Sequence, residues 1–195
     1  MPEKSKTELP VIAFVSQKDW AKWLRTNHLT SSGLWLQLAK KASGTPSVTY
    51  AEAIETALCY GWIDGQKQSH SADAWLQKFT PRARKSIWSK INCQKALALI
   101  ESGKMKPPGL AEVERAKQDG RWEQAYDSPG NATIPEDLQA ALDKIPKAKA
   151  FFATLESRNR YAILWRIQTA KKAETRAKRI ELFMKMLEKG EKIHP

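Results

Sequence analysis

The sequence contains few of the residues that build metal centres and redox sites. Among its 195 residues are only two cysteines, Cys59 and Cys93, and three histidines, His28, His70 and His194. The cysteines lie far apart rather than in a C-x-x-C motif, and the histidines are scattered, so neither a zinc site nor a dithiol redox motif is indicated. The phosphate-binding patterns GxxxxGK and GxGxxG are also absent. We therefore expect no metal, no cofactor and two reduced, buried thiols.

The sequence also lacks long hydrophobic runs. The N-terminal residues MPEKSKTE contain no apolar core of the kind found in signal peptides, and no later apolar run is long enough to cross a bilayer. We therefore expect a cytoplasmic protein without a membrane span.

Acidic residues are in deficit. The chain has 33 Lys and Arg against 21 Asp and Glu, which gives a net charge of +12. Such a surplus favours a polyanionic partner, or it serves solubility alone. The basic residues are concentrated in two clusters, Lys78 to Lys106 and Arg158 to Arg179, and Trp88 lies within the first. Cations beside an aromatic ring are typical of single-stranded nucleic-acid binding, so that function is one alternative, and solvated helix faces are the other.

The hydrophobic periodicity of residues 1–127 predicts an α+β domain. Apolar residues alternate with period two from Leu34 to Leu38, and two further strands are expected around residues 62–67 and 74–79. Helix-like spacing in between predicts helices that pack on a small antiparallel sheet. A turn at Pro107-Pro108-Gly109 is expected to precede a helix that begins at Leu110.

After the turn-rich segment 126–131 the periodicity becomes helical throughout. Residues 128–195 are therefore predicted to form an all-helical C-terminal module. The expected fold class is α+β, with an N-terminal domain over 1–127 and the helical module after it.

The segment from Glu55 to Asn92 has the densest group of chemically useful side chains. Asp64 follows Trp62 by two positions on a predicted strand, so both side chains point to the same face. If strand and following loop converge, indole walls and a few polar groups would form a small-ligand pocket, in which Arg82 binds an anionic group. The predicted ligand-binding residues are Trp62, Asp64, Arg82, Ser86, Trp88 and Asn92.

Two alternatives to this pocket remain open. In the first, the same residues form a structural network, with Asp64 paired to Arg82 and with Ser86 capping the following helix. In the second, the protein is an enzyme that uses Cys59 or the Glu55 and Asp64 carboxylates. Cys59 is predicted to lie at a helix C-terminus, where the helix dipole disfavours a thiolate, so no catalytic residue is assigned.

Several motifs together resemble the YdeI/OmpD-associated family, whose C-terminal module is also called the bacteriocin-protection domain. The motifs are YAEA (50–53), ALCYGWIDG (57–65), FTPR (79–82), SIWSKIN (86–92), AKQDGRW (116–122), FF (151–152), Trp165 and ETRAKRI (174–180).

The resemblance implies a stress or resistance protein rather than an enzyme. The family name suggests protection against bacteriocins or antimicrobial peptides, and association with an outer-membrane porin. No catalytic residue set comes with the resemblance. Because a chain of net charge +12 repels cationic peptides, we expect any protective role to be indirect. The expected partner is an unidentified small or anionic ligand.

Overall fold

A computed structural model describes residues 8–195. These residues divide into two compact units, each with its own core. The first unit contains the residues up to Trp88 together with Asn92–Gln124, and the second contains Ser89–Ile91 and Ala125–Pro195. The boundary predicted from the sequence lies after residue 127. No helix in the described part of the chain is both long enough and apolar enough to cross a membrane.

The first unit is built on a four-stranded sheet. Its strands are β1 (Val11–Ala13), β2 (Leu34–Ala39), β3 (Trp62–Ser69) and β4 (Ala74–Pro81), in the order β1-β2-β4-β3. The pairs β2–β4 and β3–β4 are antiparallel, as predicted, whereas β1 pairs in parallel with β2. The sheet is therefore mixed, and the sequence did not reveal β1 because three residues are too few to show an alternation.

Helices α1 (Gln17–Asn27) and α2 (Tyr50–Cys59) form the core of the first unit with the sheet. Trp20 of α1 is fully buried, and its ring centroid lies 5.6 Å from that of Phe79 on β4. Its indole Nε1 donates a hydrogen bond of 3.1 Å to the carbonyl oxygen of Ala53 on α2. One side chain thus holds both helices in place.

Both ends of α2 follow from local sequence. Thr49 and Glu52 form a reciprocal capping box at its N-terminus, and Gly61 adopts a φ of +73° just beyond its C-terminus. Helices α3 (Lys90–Glu101) and α4 (Pro107–Gln118) follow the sheet. The turn predicted at Pro107-Pro108-Gly109 is wrong, because these residues form the first turn of α4, where proline needs no hydrogen-bond acceptor.

The second unit contains helices α5 (Glu136–Lys144), α6 (Pro146–Thr154), α7 (Ser157–Gln168) and α8 (Ala173–Glu188). Their buried faces form one apolar core that includes Leu138, Phe152 and Ile163. Arg176 on α8 donates to the carbonyl oxygen of Ile167, at the C-terminal end of α7, and Arg179 donates to that of Arg166. Both carbonyl groups lie in the last turn of α7, and the Ile167 oxygen also accepts a main-chain hydrogen bond from Ala170.

Gly109 tests how closely α4 packs on α2. A Cβ at this position would lie 2.4 Å from the carbonyl oxygen of Leu58 and 2.5 Å from that of Cys59. We expect Gly109→Ala to lower the free energy of unfolding by about 1–3 kcal/mol, because backbone atoms cannot yield to the added methyl group. Urea denaturation measures the change. Gly130→Ala is the control, since a Cβ there meets nothing within 4 Å. Equal stability of both variants would contradict the packing.

Candidate functional site

Trp62, the first predicted ligand-binding residue, is part of the hydrophobic core. Its side chain is 1% exposed, and its ring packs edge-on against that of Trp23, with the centroids 5.7 Å apart. The indole Nε1 donates a hydrogen bond of 3.1 Å to the carbonyl oxygen of His28. The ring therefore anchors the start of β3 beneath α1.

Asp64 lies two residues further along β3 and contacts a different group. Its Oδ2 accepts a hydrogen bond of 2.6 Å from the hydroxyl of Tyr50, at the start of α2. Asp64 is half-buried, and its neighbour across the sheet is Phe79. The carboxylate thus orients the Tyr50 ring.

Arg82 and Trp88, two of the six predicted residues, are in contact with each other. The guanidinium carbon of Arg82 lies 3.5 Å from the centroid of the Trp88 ring, in a stacked cation–π arrangement. Arg82 is 6% exposed and Trp88 is 2% exposed, and Arg82 Nη1 donates to the carbonyl oxygen of Ile87. Trp88 packs in turn against Trp122, with the ring centroids 5.0 Å apart. This stack is buried within the first unit.

Arg121 joins this cluster, and sequence reasoning missed it. It is 5% exposed, its Nε donates to Asp119 at 2.7 Å, and its Nη1 donates to the main-chain oxygen of Ser86 at 2.6 Å. Burial raises the pKa of Glu112, although Arg115, Arg82 and Arg121 oppose the shift. One sequence feature could have indicated Arg121. It lies in the turn Asp119-Gly120-Arg121-Trp122, which immediately follows α4.

The six predicted residues thus make different contacts. Arg82 and Trp88 form one stack, and Ser86 joins the same cluster through its main chain. Asn92 is half-buried in the first turn of α3. Trp62 lies in the hydrophobic core, and Asp64 lies on β3, where it contacts Tyr50. That all six line one pocket stays a prediction.

An open cleft lies elsewhere in the first unit, and we call it the lysine cleft. It has a volume of about 390 Å³ and is bounded by α1, α2, the end of α3 and the segment that leads to α4. Its lining residues are Gln17, Lys18, Ala21, Glu55, Thr56, Cys59, Tyr60, Leu99, Lys104 and Lys106.

The charges around the lysine cleft are unbalanced. Its one acidic lining residue, Glu55, is paired with Lys95, whose Nζ lies 3.0 Å from Glu55 Oε1. Lys18, Lys104 and Lys106 are exposed, and none of them forms an ion pair with a carboxylate of residues 8–195. Three ammonium groups therefore face a cleft whose only lining carboxylate is already neutralised.

Cys59 lines the lysine cleft and is 7% exposed. Burial raises the pKa of its thiol, and the opposing effects of Lys106 and Lys104 are smaller. Burial also raises the pKa of Cys93 to about 11. A thiol that stays protonated near neutral pH is a poor nucleophile, so this environment does not favour the enzyme alternative based on Cys59.

Several side chains of the second basic cluster, Arg158 to Arg179, are held by contacts within their own unit. Arg176 makes two hydrogen bonds to the carboxylate of Asp137, of 2.6 and 2.8 Å. Lys178 pairs with Glu174. The side chains of Arg160, Arg166 and Arg179 donate to main-chain carbonyl oxygens. These contacts favour the interpretation of this cluster as structural.

The contact between Arg82 and Trp88 should stabilise the folded protein. We expect Arg82→Ala to lower the free energy of unfolding by about 2 kcal/mol or more, because the variant loses a buried cation–π contact and exposes the Trp88 face to a void. The control is Arg84→Ala, two residues away and exposed, which should change stability by less than about 0.5 kcal/mol. Thermal and urea denaturation measure both. An Arg82→Ala protein as stable as the control would show that the stack is unimportant.

The raised thiol pKa values predict how stability and thiol labelling depend on pH. Because both thiol pKa values are raised in the folded protein, their contribution to stability is present below pH 9 and is lost at higher pH, for Cys93 as the pH approaches 11. Iodoacetamide labelling of the single variants Cys59→Ser and Cys93→Ser should therefore be slow at pH 8 and should accelerate only at higher pH. The urea-unfolded protein is the control. Rapid labelling of folded protein at pH 8 would contradict the raised values.

Comparison with protein families gives two matches, one in each half of the chain. A family model described as a domain of unknown function (DUF8412) matches residues 12–112, which is just over half of the chain. A model described as Bacteriocin-protection, YdeI or OmpD-Associated matches residues 131–190. The predicted YdeI/OmpD-associated resemblance is thus confirmed for the C-terminal part, while the motifs between residues 50 and 92 fall within the other match.

Comparison with curated proteins and with solved structures gave no match. Because the first family model matches more than half of its residues, the chain belongs to the DUF8412 family, and its C-terminal part matches the YdeI/OmpD-associated family.

Proposed function

We propose that the first unit binds a small amphipathic anion in the lysine cleft, and that the protein is a non-enzymatic binding protein. The observation that carries the proposal is the set of three ammonium groups, on Lys18, Lys104 and Lys106, around a cleft with no unpaired acidic lining residue. Several unpaired positive charges around a concave surface attract an anion that fits the cleft.

The lining of the lysine cleft also favours a ligand with an apolar part. Ala21, Cys59 and Leu99 supply apolar surface between the lysines, and Leu99 and Cys59 are buried. Gln17 and Thr56 offer polar groups, although the Gln17 amide already donates to the Thr56 hydroxyl at 3.1 Å. A carboxylate or phosphate on a short hydrocarbon chain would use both properties of this surface.

The groups in the lysine cleft suit binding better than catalysis. The Cys59 thiol has a raised pKa, and the Glu55 carboxylate is already paired with Lys95. None of the six residues predicted from sequence lines this cleft. We therefore place the ligand at the lysine cleft and assign the Arg82–Trp88 stack a role in stability.

The description of the C-terminal domain suggests the setting of this activity. Bacteriocin protection follows from that family description alone. A chain of net charge +12 repels cationic peptides, so we propose a protective role in which the protein binds an anionic effector rather than the peptide itself. Association with an outer-membrane porin and a cytoplasmic location remain proposals drawn from the family description and the sequence.

A series of octyl compounds tests the proposed ligand chemistry. We expect octanoate to bind and to raise the melting temperature, and octylamine and octanol to bind much more weakly, because only octanoate has a negative charge for the lysines. Isothermal titration calorimetry measures the affinities. Equal binding of the three compounds, or no binding of octanoate, would remove the proposal.

Variants locate the binding site for the same probe. Lys104→Gln and Lys106→Gln should each weaken octanoate binding by roughly two- to fivefold, as expected for an ion pair near a surface. Lys18→Gln should act in the same direction. The matched control is Lys22→Gln, an exposed lysine one turn further along α1 that does not line the cleft. Loss of affinity in the control alone would place the ligand elsewhere.

A further inference from the structure

A second cleft lies where the sheet of the first unit ends, and we call it the aromatic–lysine cleft. Strand β2 ends at Ala39 opposite Ala74, the first residue of β4. The cleft between these strand ends and β3 has a volume of about 440 Å³. Its lining includes Lys40, Lys41, Lys67, Gln68, Ser69 and Trp75. It shares no lining residue with the lysine cleft.

The aromatic–lysine cleft has an ordered aromatic surface. The half-buried ring of Trp75 lies with its centroid 5.9 Å from that of Tyr50, which is 42% exposed. The hydrogen bond from the Tyr50 hydroxyl to Asp64 fixes the orientation of the tyrosine ring. An accessible indole held in this way can stack on a flat ligand without first losing much conformational entropy.

Three lysines surround this surface, and no acidic residue lines the cleft. The Nζ of Lys67 lies 4.3 Å from the centroid of the Trp75 ring. The Nζ of Lys40 donates to the main-chain oxygens of Ser71 and Ala72, which fixes its position and leaves its charge unneutralised. Within residues 8–195, neither Lys41 nor Lys67 is ion-paired with a carboxylate.

A β-bulge brings Lys67 to Trp75. Asp64 pairs with Phe79, but Lys67 rather than Gln66 pairs with Gln77, so β3 has one extra residue between these two pairs. Lys67 lies directly opposite Gln77, so both side chains point to the same face of the sheet. Trp75 precedes Gln77 by two positions on β4 and therefore shares that face with Lys67.

Gln77 holds this bulge in place. Its side chain is 4% exposed, and its Nε2 donates to the main-chain oxygens of Gly65 at 2.9 Å and Gln66 at 3.2 Å. A buried polar side chain thus fixes the lysine beside the indole.

We propose that the aromatic–lysine cleft binds single-stranded nucleic acid. One base of the strand stacks on Trp75, and Lys41 and Lys67 hold the two phosphates on either side of it. Stacking on an aromatic ring combined with cations along the backbone is the usual way in which proteins hold single strands. A ligand base displaces the Lys67 ammonium from the ring face, and the ammonium moves to the phosphate. Ser69, which is exposed on the edge strand β3 and pairs with Trp75 across the sheet, lies on the same face as the indole.

Fluorescence anisotropy of the full chain with a labelled twelve-nucleotide single strand of mixed sequence tests the proposal. We expect binding at 25 mM salt, weaker binding to the matched duplex, and a log–log slope of affinity against salt near −1.4, for about two phosphates at about −0.7 each. A free mononucleotide is the second ligand, because it offers the same base and phosphate from a different source. A mononucleotide that competes fully at a similar concentration would overturn the assignment to a strand.

Variants separate this cleft from other basic surfaces. Trp75→Leu should lower the affinity about tenfold, while Trp75→Phe, which keeps an aromatic face, should stay within about threefold of the original protein. Lys41→Gln and Lys67→Gln should each reduce the salt slope by about 0.7. Lys85→Gln, an exposed lysine of the Lys78 to Lys106 cluster, is the matched control.

Three further results would overturn the proposal: no binding at 25 mM salt, equal affinity of the Leu and Phe variants, or loss of binding in Lys85→Gln but not in Lys67→Gln. Circular dichroism and thermal melting of each variant establish that it is folded before its affinity is compared. The Lys18→Gln variant should leave strand binding unchanged, which separates this outcome from any result for the lysine cleft.

Discussion

The burial of Trp20 determines the position of most of the first unit. Its ring packs on Phe79 of the sheet and on Trp62 at the start of β3, and its indole bonds the main chain of α2 at Ala53. Helices α1 and α2 are therefore fixed relative to the sheet and to one another. Because Lys18 lies on α1 and Cys59 on α2, the burial of Trp20 also sets the relative position of two sides of the lysine cleft.

Arginine and lysine have different tasks in this chain. Arg82, Arg121 and Arg176 are used inside the units, where the planar guanidinium stacks on an indole or bonds carboxylates and carbonyl groups. The lysines of the two clefts stay exposed and keep their charge available. The net charge of +12 is thus divided between arginines that stabilise the fold and lysines that can meet a ligand.

Local patterns predicted the elements well where they carried a physical signal. The alternation from Leu34 to Leu38 predicted β2, and the capping box at Thr49 and Glu52 and the glycine at position 61 are local sequence features at the two ends of α2. The prediction was wrong at Pro107, because two prolines and a glycine suit the first turn of a helix as well as a loop. In that helix Gly109 is needed for close packing on α2, which only the partner helix reveals.

The sequence by itself determined the α+β class, the change to a helical C-terminal part and the charge, since these depend on composition and periodicity. Only the tertiary structure decided which distant side chains share a surface. Lys18 and Lys106 line one cleft although 88 positions separate them in the chain, and Lys67 contacts Trp75 through a bulge that shifts the strand register. Packing and register depend on contacts between residues far apart in the chain, and local sequence patterns carry no signal of them.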